Sequence, residues 1–389
     1  MPIVNRAAGL KEEITTWRRD FHANPEVLYE VHRTAGIVEE KLKAFGCDEV
    51  VPGIGRTGVV AVIKGRSNRS GKVIGLRADM DALPMTEASD RPYASTIKGR
   101  AHACGHDGHT AMLLGAAKYL AETRNFDGTA VIIFQPAEEG GAGGQAMVKD
   151  GLMDRFGVQE VYGLHNMPGL PAGHFALRPG PLMAAADTFS IDIEGYGAHA
   201  SRPHVSIDPV AVGCQLHAAL QMIVARNVDP LKSAVVSVTM FHAGEASNVI
   251  PQTARLQGTV RTLDAKVRER IEARMGEICA GIGAAHGAKI ALKYQRGYPI
   301  TQNHEKQAAF AAKVAREVAG DGGVDFDMTP VMGAEDFSYM LEARPGAFIF
   351  MGNGPGPGLH HPAYDFNDEV IPAGVSYWAR LVETSMPAD

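Results

Sequence analysis

The chain has 389 residues, of which 45% are hydrophobic and 21% charged, a composition typical of globular proteins and a length that favours two domains. Its formal net charge of −6 argues against nucleic acid or an anionic membrane as a partner, because both attract basic surfaces. No apolar run approaches the ~18 residues of a membrane span, and six charged residues lie within 11–20, where a signal peptide would need an apolar segment.

The four cysteines, Cys47, Cys104, Cys214 and Cys279, are far apart and form no Cys-x-x-Cys pair. This spacing is unlike a disulfide scaffold or a structural zinc finger. Since neither a signal peptide nor a membrane span is expected, we predict a cytoplasmic protein. The 15 histidines are more informative, because five of them fall in two short segments, 102–109 and 360–361.

The first half of the chain alternates between helical and strand-like patterns. A helical pattern covers residues 14–45, and later helices are predicted at 110–123, with Asp107 as N-cap, and after a Gly-rich loop as far as Lys149. Apolar or β-branched runs predict strands at 59–64, 72–78, 129–135 and 158–165. Because strands that alternate with helices form α/β domains, we expect a mostly parallel sheet flanked by helices.

Near residue 189 the order of elements changes. Strand, helix, strand, strand, helix and strand are predicted at 189–194, 208–227, 234–241, 254–263, 264–285 and 289–294. This β-α-β-β-α-β order is typical of a small antiparallel α+β sandwich. We therefore predict that residues 186–295 form a domain inserted into a first domain made of 1–185 and 296–389. Beyond it we expect a helix at 305–319 and loop-rich segments holding 332–339 and 360–367.

The segment His102-Ala-Cys104-Gly-His106-Asp-Gly-His109 concentrates four metal-ligating side chains in eight residues. In an extended segment alternate residues share one face, so we expect His102, Cys104 and His106 to point the same way. A thiolate with imidazoles suits zinc, and also manganese, cobalt or nickel where carboxylates join. Two alternatives stay open: packed or helix-capping histidines beside an inert cysteine, and Cys104 as a catalytic thiol.

Two adjacent carboxylates, Glu138 and Glu139, follow the predicted buried strand 129–135. Functional side chains of α/β sheets gather beyond the carboxyl ends of strands, and the glycines that follow permit the turn that both carboxylates need to reach one cavity. One carboxylate would neutralise a metal, and the other would act as a base toward water. The alternative is a solvated acidic turn.

The same segment imitates a dinucleotide-binding fingerprint. Gly141-Ala-Gly143-Gly-Gln-Ala146 follows a strand and precedes a helix, with Glu160 downstream. This interpretation is weak, because Glu138 and Glu139 would repel a pyrophosphate. The sequence also lacks a second nucleotide-binding half.

Two further positions would complete a metal centre. His165 ends a predicted strand, and His360 lies beside His361 in a Gly/Pro-rich loop. Each histidine alone carries little weight. Two metal ions, however, need about five or six protein ligands between them, so these histidines would be the missing partners.

Several motifs together resemble the M20 metallopeptidase superfamily, and they occur in order between about Trp17 and Asp368. They are Arg77-Ala-Asp79-Met-Asp81-Ala-Leu-Pro, the 102–109 segment, Gln135-Pro-Ala-Glu138-Glu139-Gly, Gly163-Leu-His165-Asn, Gly197-Ala-His199-Ala-Ser201-x-Pro203, Asn248-Val-Ile-Pro251, Met332-Gly-Ala-Glu335-Asp336-Phe337 and Leu359-His360-His361-Pro362. The branch that is most similar contains hippurate hydrolase, N-acyl-amino-acid deacylases and plant auxin-conjugate hydrolases.

The resemblance implies a division of ligands between two metal ions. Cys104 would bridge the two ions. His106 and His165 would complete one site, and Glu139 and His360 would complete the other.

The resemblance also implies residues that act on the substrate. Glu138 would be the general base, and His199 would enter the partner subunit's active site and stabilise the oxyanion. Asn248 would be a substrate-binding residue on the same inserted domain. That domain would be both lid and dimer interface, so a homodimer or a dimer-based oligomer is expected.

The chain departs from the wider superfamily at one motif. Many members bridge their metals with an aspartate and take another ligand from a His-x-Asp motif. Here the motif reads Asp79-Met-Asp81, and Cys104 takes the bridging place, as in the amidohydrolase branch. The role of Asp81 is therefore open. The Leu-His-x-Pro pattern of the family favours His360 over His361 as the ligand.

The activity that the resemblance implies is a metal-dependent amidohydrolase with two divalent ions per subunit, drawn from zinc, manganese, nickel and cobalt. Its substrates would be small N-acyl amino acids, such as hippurate or N-acetyl amino acids, cleaved to a carboxylic acid and a free amino acid. A dipeptidase or aminopeptidase with the same metal centre is the alternative. A thiol amidase using Cys104 would survive chelation, and a non-catalytic binding protein would have no use for Glu138 as a free base.

Overall fold

The computed structural model describes residues 4–388; residues 1–3 and 389, which the predicted domain boundaries include, lie outside the described part. The chain forms two compact units. The first contains the described residues up to Leu182, Gln302–Thr329 and those from Asp336 onward, and the second contains Met183–Thr301 and Pro330–Glu335. The predicted insertion, residues 186–295, lies within the second unit, and its boundaries as a domain stay a prediction. No helix among residues 4–388 combines the length and the apolar character that crossing a membrane requires.

Both units combine helices with strands. The helices are α1 (Asn5–Gly9), α2 (Lys11–Ala23), α3 (His32–Ala44), α4 (His106–Thr123), α5 (Gly143–Lys149), α6 (Leu152–Arg155), α7 (Pro209–Asn227), α8 (Ala265–His286), α9 (Glu305–Ala319), α10 (Ser338–Ala343) and α11 (Ile371–Ser385). The strands are β1 (Glu49–Ile54), β2 (Gly58–Lys64), β3 (Val73–Asp79), β4 (Thr129–Gln135), β5 (Glu160–Pro168), β6 (Phe175–Ala176), β7 (Gly180–Met183), β8 (Ala185–Glu194), β9 (Ala198–His199), β10 (Ala234–Ala243), β11 (Val249–Ile250), β12 (Thr253–Thr262), β13 (Lys289–Arg296), β14 (Thr301–Asn303), β15 (Val324–Asp325) and β16 (Gly346–Gly354).

An eight-stranded sheet lies at the centre of the first unit, with strand order β1-β2-β4-β3-β5-β16-β6-β15. Its four central strands are parallel, which confirms the prediction of a mostly parallel sheet flanked by helices. Every residue of β4 after Thr129 is buried, because a continuous β-branched run needs cover on both faces. The carboxyl ends of β3, β4 and β5 therefore meet at one edge of the sheet.

Helices α2, α4, α9 and α11 contribute to the same hydrophobic core as the sheet. On α2, Ile14, Trp17 and Phe21 recur at helical spacing and are buried. A Cβ on Gly115 of α4 would lie 2.4 Å from the Cδ1 of Ile14, so the two helices approach closely. The whole first turn of α4 is buried, which carries His106 into the interior.

Three expectations about local structure are wrong. The helix predicted at 14–45 is two helices, α2 and α3, because Pro25 has no N–H to donate and disfavours helical geometry at Asn24. Asp107 is not the N-cap of α4, which begins one residue earlier, at His106. The C-terminal region expected to be loop-rich contains β16 and α11; the apolar run 347–351 is the signal for that strand.

The second unit is a two-layer structure. Its sheet has strand order β10-β12-β8-β13 and is antiparallel throughout, and α7 and α8 share a hydrophobic core with it. Buried and exposed residues alternate along β8, because only one face of this sheet is covered. The order β8, α7, β10, β12, α8 and β13 is the predicted β-α-β-β-α-β order. A separate ribbon of β9 and β11 carries His199 and lies next to Asn248.

Candidate metal centre

The segment that carries Cys104 and His106 is a tight turn and not an extended strand. Gly105 has φ +91°, and α4 begins at the next residue. Only glycine fits there, because a Cβ would lie 2.2 Å from Asn166 Nδ2. The expectation that His102 shares a face with the other two is therefore wrong. Both ring nitrogens of His102 are buried, and among residues 4–388 they have no hydrogen-bond partner and join no metal-capable group.

Main-chain carbonyls orient His106 and His165. The Nδ1 of His106 donates to Asp81 O at 2.8 Å, and the Nδ1 of His165 donates to Asn166 O at 2.7 Å. Each bond leaves the lone pair on Nε2, which is how proteins orient an imidazole toward a metal. The Nε2 of His106 is buried and has no hydrogen-bond partner within the described chain. The Nε2 of His165 lies 3.4 Å from Cys104 Sγ.

Five side chains from four segments form two groups that share Cys104. One group is Cys104, His106 and His165, and the other is Cys104, Glu139 and His360; the ligand atoms in each lie within 4.8 Å of one another. His360 has a left-handed backbone, with φ +62°, and its Nε2 lies 3.2 Å from Glu139 Oε1. The structure thus brings together all five residues that the sequence offered as ligands.

The loop at residue 360 presents His360 and not His361 to this cluster. The backbone N–H of His360 donates to Ala103 O at 2.8 Å, which holds the loop beside the Cys104 turn. The Nδ1 of His361 instead accepts from Ala363 N at 3.1 Å. His361 is exposed and belongs to none of the metal-capable groups found in residues 4–388.

Asp81 holds the turn that carries the two glutamates. Its Oδ1 accepts from Glu138 N at 2.9 Å, and its Oδ2 accepts from Glu139 N at 3.1 Å. The turn has no room for a side chain at Gly143, where a Cβ would overlap the main chain. Asp81, whose role the sequence left open, therefore positions both carboxylates and, through its own carbonyl, His106.

Glu138 lies beside Glu139 and His106. Its side chain is 7% exposed, and its carboxylate forms a compact group with the ligand atoms of His106 and Glu139. A buried carboxylate in this place is able to accept a proton or to bind a cation.

Asp79 and His109 form hydrogen bonds with other side chains and with the backbone. The Nδ1 of His109 donates to Asp79 Oδ1 at 2.6 Å, and its Nε2 accepts from Asn166 N at 3.0 Å. Asp79 Oδ2 accepts from Arg77 Nη1 at 2.7 Å. Because both of its ring nitrogens are used, His109 has no lone pair to offer a metal. The sequence did not single out Asn166, whose one signal there is its place next to His165.

Without a metal ion, two of the proposed ligands, His106 and Cys104, hold protons that a metal would displace. Burial lowers the pKa of His106, but two nearby aspartates outweigh it and raise that pKa to about 10. Burial and the neighbouring glutamates raise the pKa of the Cys104 thiol well above its usual value. Burial opposes ionisation of Glu139, yet the hydrogen bond from His360 lowers the pKa of this carboxyl. One thiol, three imidazoles and a carboxylate form a donor set that fits zinc and the neighbouring divalent metals.

His199 and Asn248, the residues predicted to act on the substrate, are neighbours at the ribbon of the second unit. Ala200 N donates to Asn248 O at 3.0 Å, which joins the two segments. The Nδ1 of His199 accepts from Ser201 N at 3.1 Å, so the ring proton is on Nε2. Both side chains are exposed, and the Nε2–H of His199 is a hydrogen-bond donor.

Known proteins resemble the chain over nearly its whole length. The pattern of peptidase family M20/M25/M40 matches residues 75–384. The chain is 43% identical to a hippurate hydrolase of Campylobacter jejuni, and the match covers 98% of each chain. It is 42% identical to an N-acetyl-L-cysteine deacetylase of Bacillus subtilis, with 93% of this chain and 85% of that protein covered.

The fold is also that of solved structures. A Bacillus subtilis protein described as a dinuclear metal-binding peptidase from the M20 family is similar, with a TM-score of 0.86 and 34% identity over 97% of this chain and 98% of that chain. The resemblance seen in the motifs is thereby confirmed, and the chain belongs to peptidase family M20/M25/M40, a family of hydrolases.

Proposed function

We propose that this hydrolase is a metal-dependent amidohydrolase that cleaves N-acyl amino acids to a carboxylic acid and a free amino acid. The observation that carries the proposal is the pair of metal-capable groups that share Cys104, with Glu138 buried beside them. Relatives named hippurate hydrolase and N-acetyl-L-cysteine deacetylase, at 43% and 42% identity, support this substrate class.

The ligands in this proposal are Cys104, His106, Glu139, His165 and His360, and they hold two divalent ions per subunit. Zinc, manganese, nickel and cobalt all suit a thiolate with imidazoles and a carboxylate. When bound, the metal supplies Lewis-acid polarisation of the scissile carbonyl and of the attacking water.

Glu138 makes the proton transfers. Its backbone is held by Asp81, and its carboxylate is buried close to His106 and Glu139. The oxygen of the attacking water bonds to the acyl carbon while Glu138 takes a proton from that water. The same proton then goes to the leaving amine as the C–N bond breaks.

The inserted domain supplies the groups that face the substrate. The Nε2–H of the partner subunit's His199 stabilises the oxyanion that forms on the acyl carbonyl. Asn248 lies next to His199 on the same ribbon and binds the substrate carboxylate through its side-chain amide.

This role for His199 requires a homodimer or a dimer-based oligomer. An exposed apolar edge of the second unit supports one: β10 is an edge strand, and its Met240 and Phe241 are 46% and 38% exposed. Helix α7, which packs against β10, exposes Met222 at 57%. A second copy of the chain would pair the strand edge and cover these side chains.

The proposed centre also favours the cytoplasm. All four cysteines are free, and a ligand such as Cys104 has to stay reduced. The cytoplasm provides that reducing environment.

The alternative activity is that of a dipeptidase or aminopeptidase, since one solved relative is described as a peptidase. A peptidase that binds the free α-ammonium group of its substrate needs a carboxylate in the substrate-binding site. Segments 195–203 and 245–251 contain polar or basic side chains at His199, Ser201, Arg202 and Asn248, against the one carboxylate of Glu245. That balance suits a substrate with a free carboxylate at one end and an uncharged acyl group at the other.

A substrate panel tests the proposed function. We expect N-acetyl- and N-benzoyl-amino acids to be cleaved with kcat/KM at least ~10-fold above dipeptides of matched size, about 1.4 kcal/mol of discrimination. Blocking the carboxylate as an amide should lower kcat/KM more than exchanging acetyl for benzoyl. Chelation should abolish activity, and added divalent metal should restore it. Faster cleavage of free dipeptides would favour the peptidase, and activity that survives chelation would favour a Cys104 thiol mechanism.

A further inference from the structure

Asn166 follows the proposed ligand His165 on β5 and is fully buried. Its backbone forms hydrogen bonds with two imidazole rings. The N–H of Asn166 donates to His109 Nε2 at 3.0 Å, and its carbonyl accepts from His165 Nδ1 at 2.7 Å. The main chain of Asn166 therefore fixes the ring orientation of one ligand and of the histidine that bonds to Asp79.

The side-chain amide of Asn166 joins two other segments. Its Nδ2 donates to Cys104 O at 2.6 Å, and its Oδ1 accepts from the hydroxyl of Tyr364 at 2.5 Å. The orientation of the amide follows from chemistry, because a backbone carbonyl only accepts and the NH₂ group has to face it. Tyr364 is 1% exposed and lies on the loop that carries His360.

The space around this amide is closed. A Cβ on Gly105 would lie 2.2 Å from Asn166 Nδ2 and 2.6 Å from Tyr364 Oη. The turn between Cys104 and His106 consequently packs directly against the amide, and a displacement of Asn166 would be transmitted to both ligands.

We propose that Asn166 is the positioning residue of the metal centre, setting the mutual geometry of Cys104, His165 and His360. It contacts the main chain of the first, the ring of the second and, through Tyr364, the loop of the third. Asn166 itself ligates no metal and touches no substrate. The inference rests on the proposed function, because it concerns the same metal centre.

The first test compares metal affinity in wild type and Asn166→Ala. Zinc is titrated into metal-free protein against a competing chelator, and the thiolate-to-metal charge-transfer absorption is recorded after cobalt loading. We expect Asn166→Ala to bind zinc about 10–100-fold more weakly, the usual loss when a partner of a ligand is removed. We also expect the cobalt spectrum to change, because the Cys104 sulfur is displaced. A residue that only stabilised the fold would alter thermal unfolding of the metal-free protein and leave both readouts unchanged.

A second variant, Tyr364→Phe, removes one hydroxyl and keeps the ring. If the hydroxyl acts through the amide, the double variant Asn166→Ala/Tyr364→Phe binds zinc no more weakly than Asn166→Ala alone. The matched control is Tyr162→Phe, which removes a buried hydroxyl that donates to Glu160, a residue outside the proposed ligand set, at 2.9 Å. This control should bind zinc like wild type.

Each result decides a separate question. Wild type that binds no divalent metal would overturn the proposed function. Wild type that binds metal, with Asn166→Ala equal to it in affinity and cobalt spectrum, would overturn the role of Asn166. If Asn166→Ala fails to fold, Tyr364→Phe decides, and wild-type affinity in that variant contradicts the inference. Additive losses in the double variant would contradict it as well.

Discussion

Glu138 and Glu139 have the same backbone partner, the carboxylate of Asp81, but different side-chain surroundings. Glu139 lies 3.2 Å from His360, and that hydrogen bond lowers its pKa. Glu138 is 7% exposed, and its carboxylate groups with Glu335 and Asp336 and is not part of the group of Cys104, Glu139 and His360. This difference supports the proposal, implied by the family resemblance, that Glu139 is a ligand and Glu138 the base.

Exchanging either glutamate for glutamine separates the two roles, because the amide keeps the shape and removes the charge. Glu138→Gln should keep nearly full metal content and lose at least ~10²-fold in kcat, the scale of a general base. The matched variant Glu139→Gln should lose metal. Metal analysis and steady-state kinetics on both proteins make the comparison. Metal loss in Glu138→Gln, or near-normal turnover, would show that the assignment is wrong.

At the scale of elements, a buried charged network joins α2 to the first turn of α4. Arg18 is fully buried and lies 3.6 Å from Asp107, the residue that follows His106. The ring of His22 lies 2.7 Å from Asp107 through Nδ1 and 3.3 Å from Glu87 through Nε2. These contacts hold the start of α4, and therefore His106, which we propose as a ligand.

The charge of His22 makes this contact depend on pH. Burial lowers the pKa of His22, but the hydrogen bonds to Asp107 and Glu87 outweigh it and raise the pKa to about 9. The folded pKa lies above the unfolded value of about 6.5, so the stabilisation is complete below about pH 6.5 and is lost as pH rises through about 9.

We therefore predict a pH-dependent penalty for His22→Gln, which keeps a hydrogen-bonding group and removes the charge. In urea unfolding of metal-free protein, the variant should be less stable than wild type by roughly 3 kcal/mol near pH 6, and the difference should shrink toward pH 10. A difference that is constant over this range would mean that His22 is neutral in the folded protein.

At the scale of the whole molecule, the proposed functional residues are divided between the two units. The proposed ligands and Glu138 belong to the first unit, whereas His199 and Asn248 belong to the second. Each unit has its own hydrophobic core. In the proposed dimer, His199 of the partner subunit completes the active site.

Subunit mixing tests this arrangement. Glu138→Gln and His199→Ala should each be nearly inactive as homodimers. Exchange of their subunits at equal amounts should restore about a quarter of wild-type activity, because half of the dimers are mixed and each has one intact site. Exchange is verified with differently tagged subunits. Failure to recover activity after verified exchange would place the action of His199 in its own subunit.

The sequence alone determined much of the chemistry, because metal preference depends on side-chain type and strand patterns depend on local alternation. The sequence predicts Cys104, His106, Glu139, His165 and His360 as ligands, and the structure brings them together. The mostly parallel sheet and the β-α-β-β-α-β order also followed from local patterns. Strand β16 was missed where glycines interrupt the pattern at both ends of its apolar run.

Only the tertiary structure decided which candidate side chains keep a free lone pair. The sequence presents His102, His106 and His109 alike, yet His109 bonds to Asp79 and Asn166, while Nε2 of His106 has no hydrogen-bond partner among the described residues. The roles of Asp81 and Asn166 likewise depend on partners far along the chain. The physical reason is that a ligand is defined by the hydrogen bonds around it, and those partners come together only when the strands and the His360 loop meet.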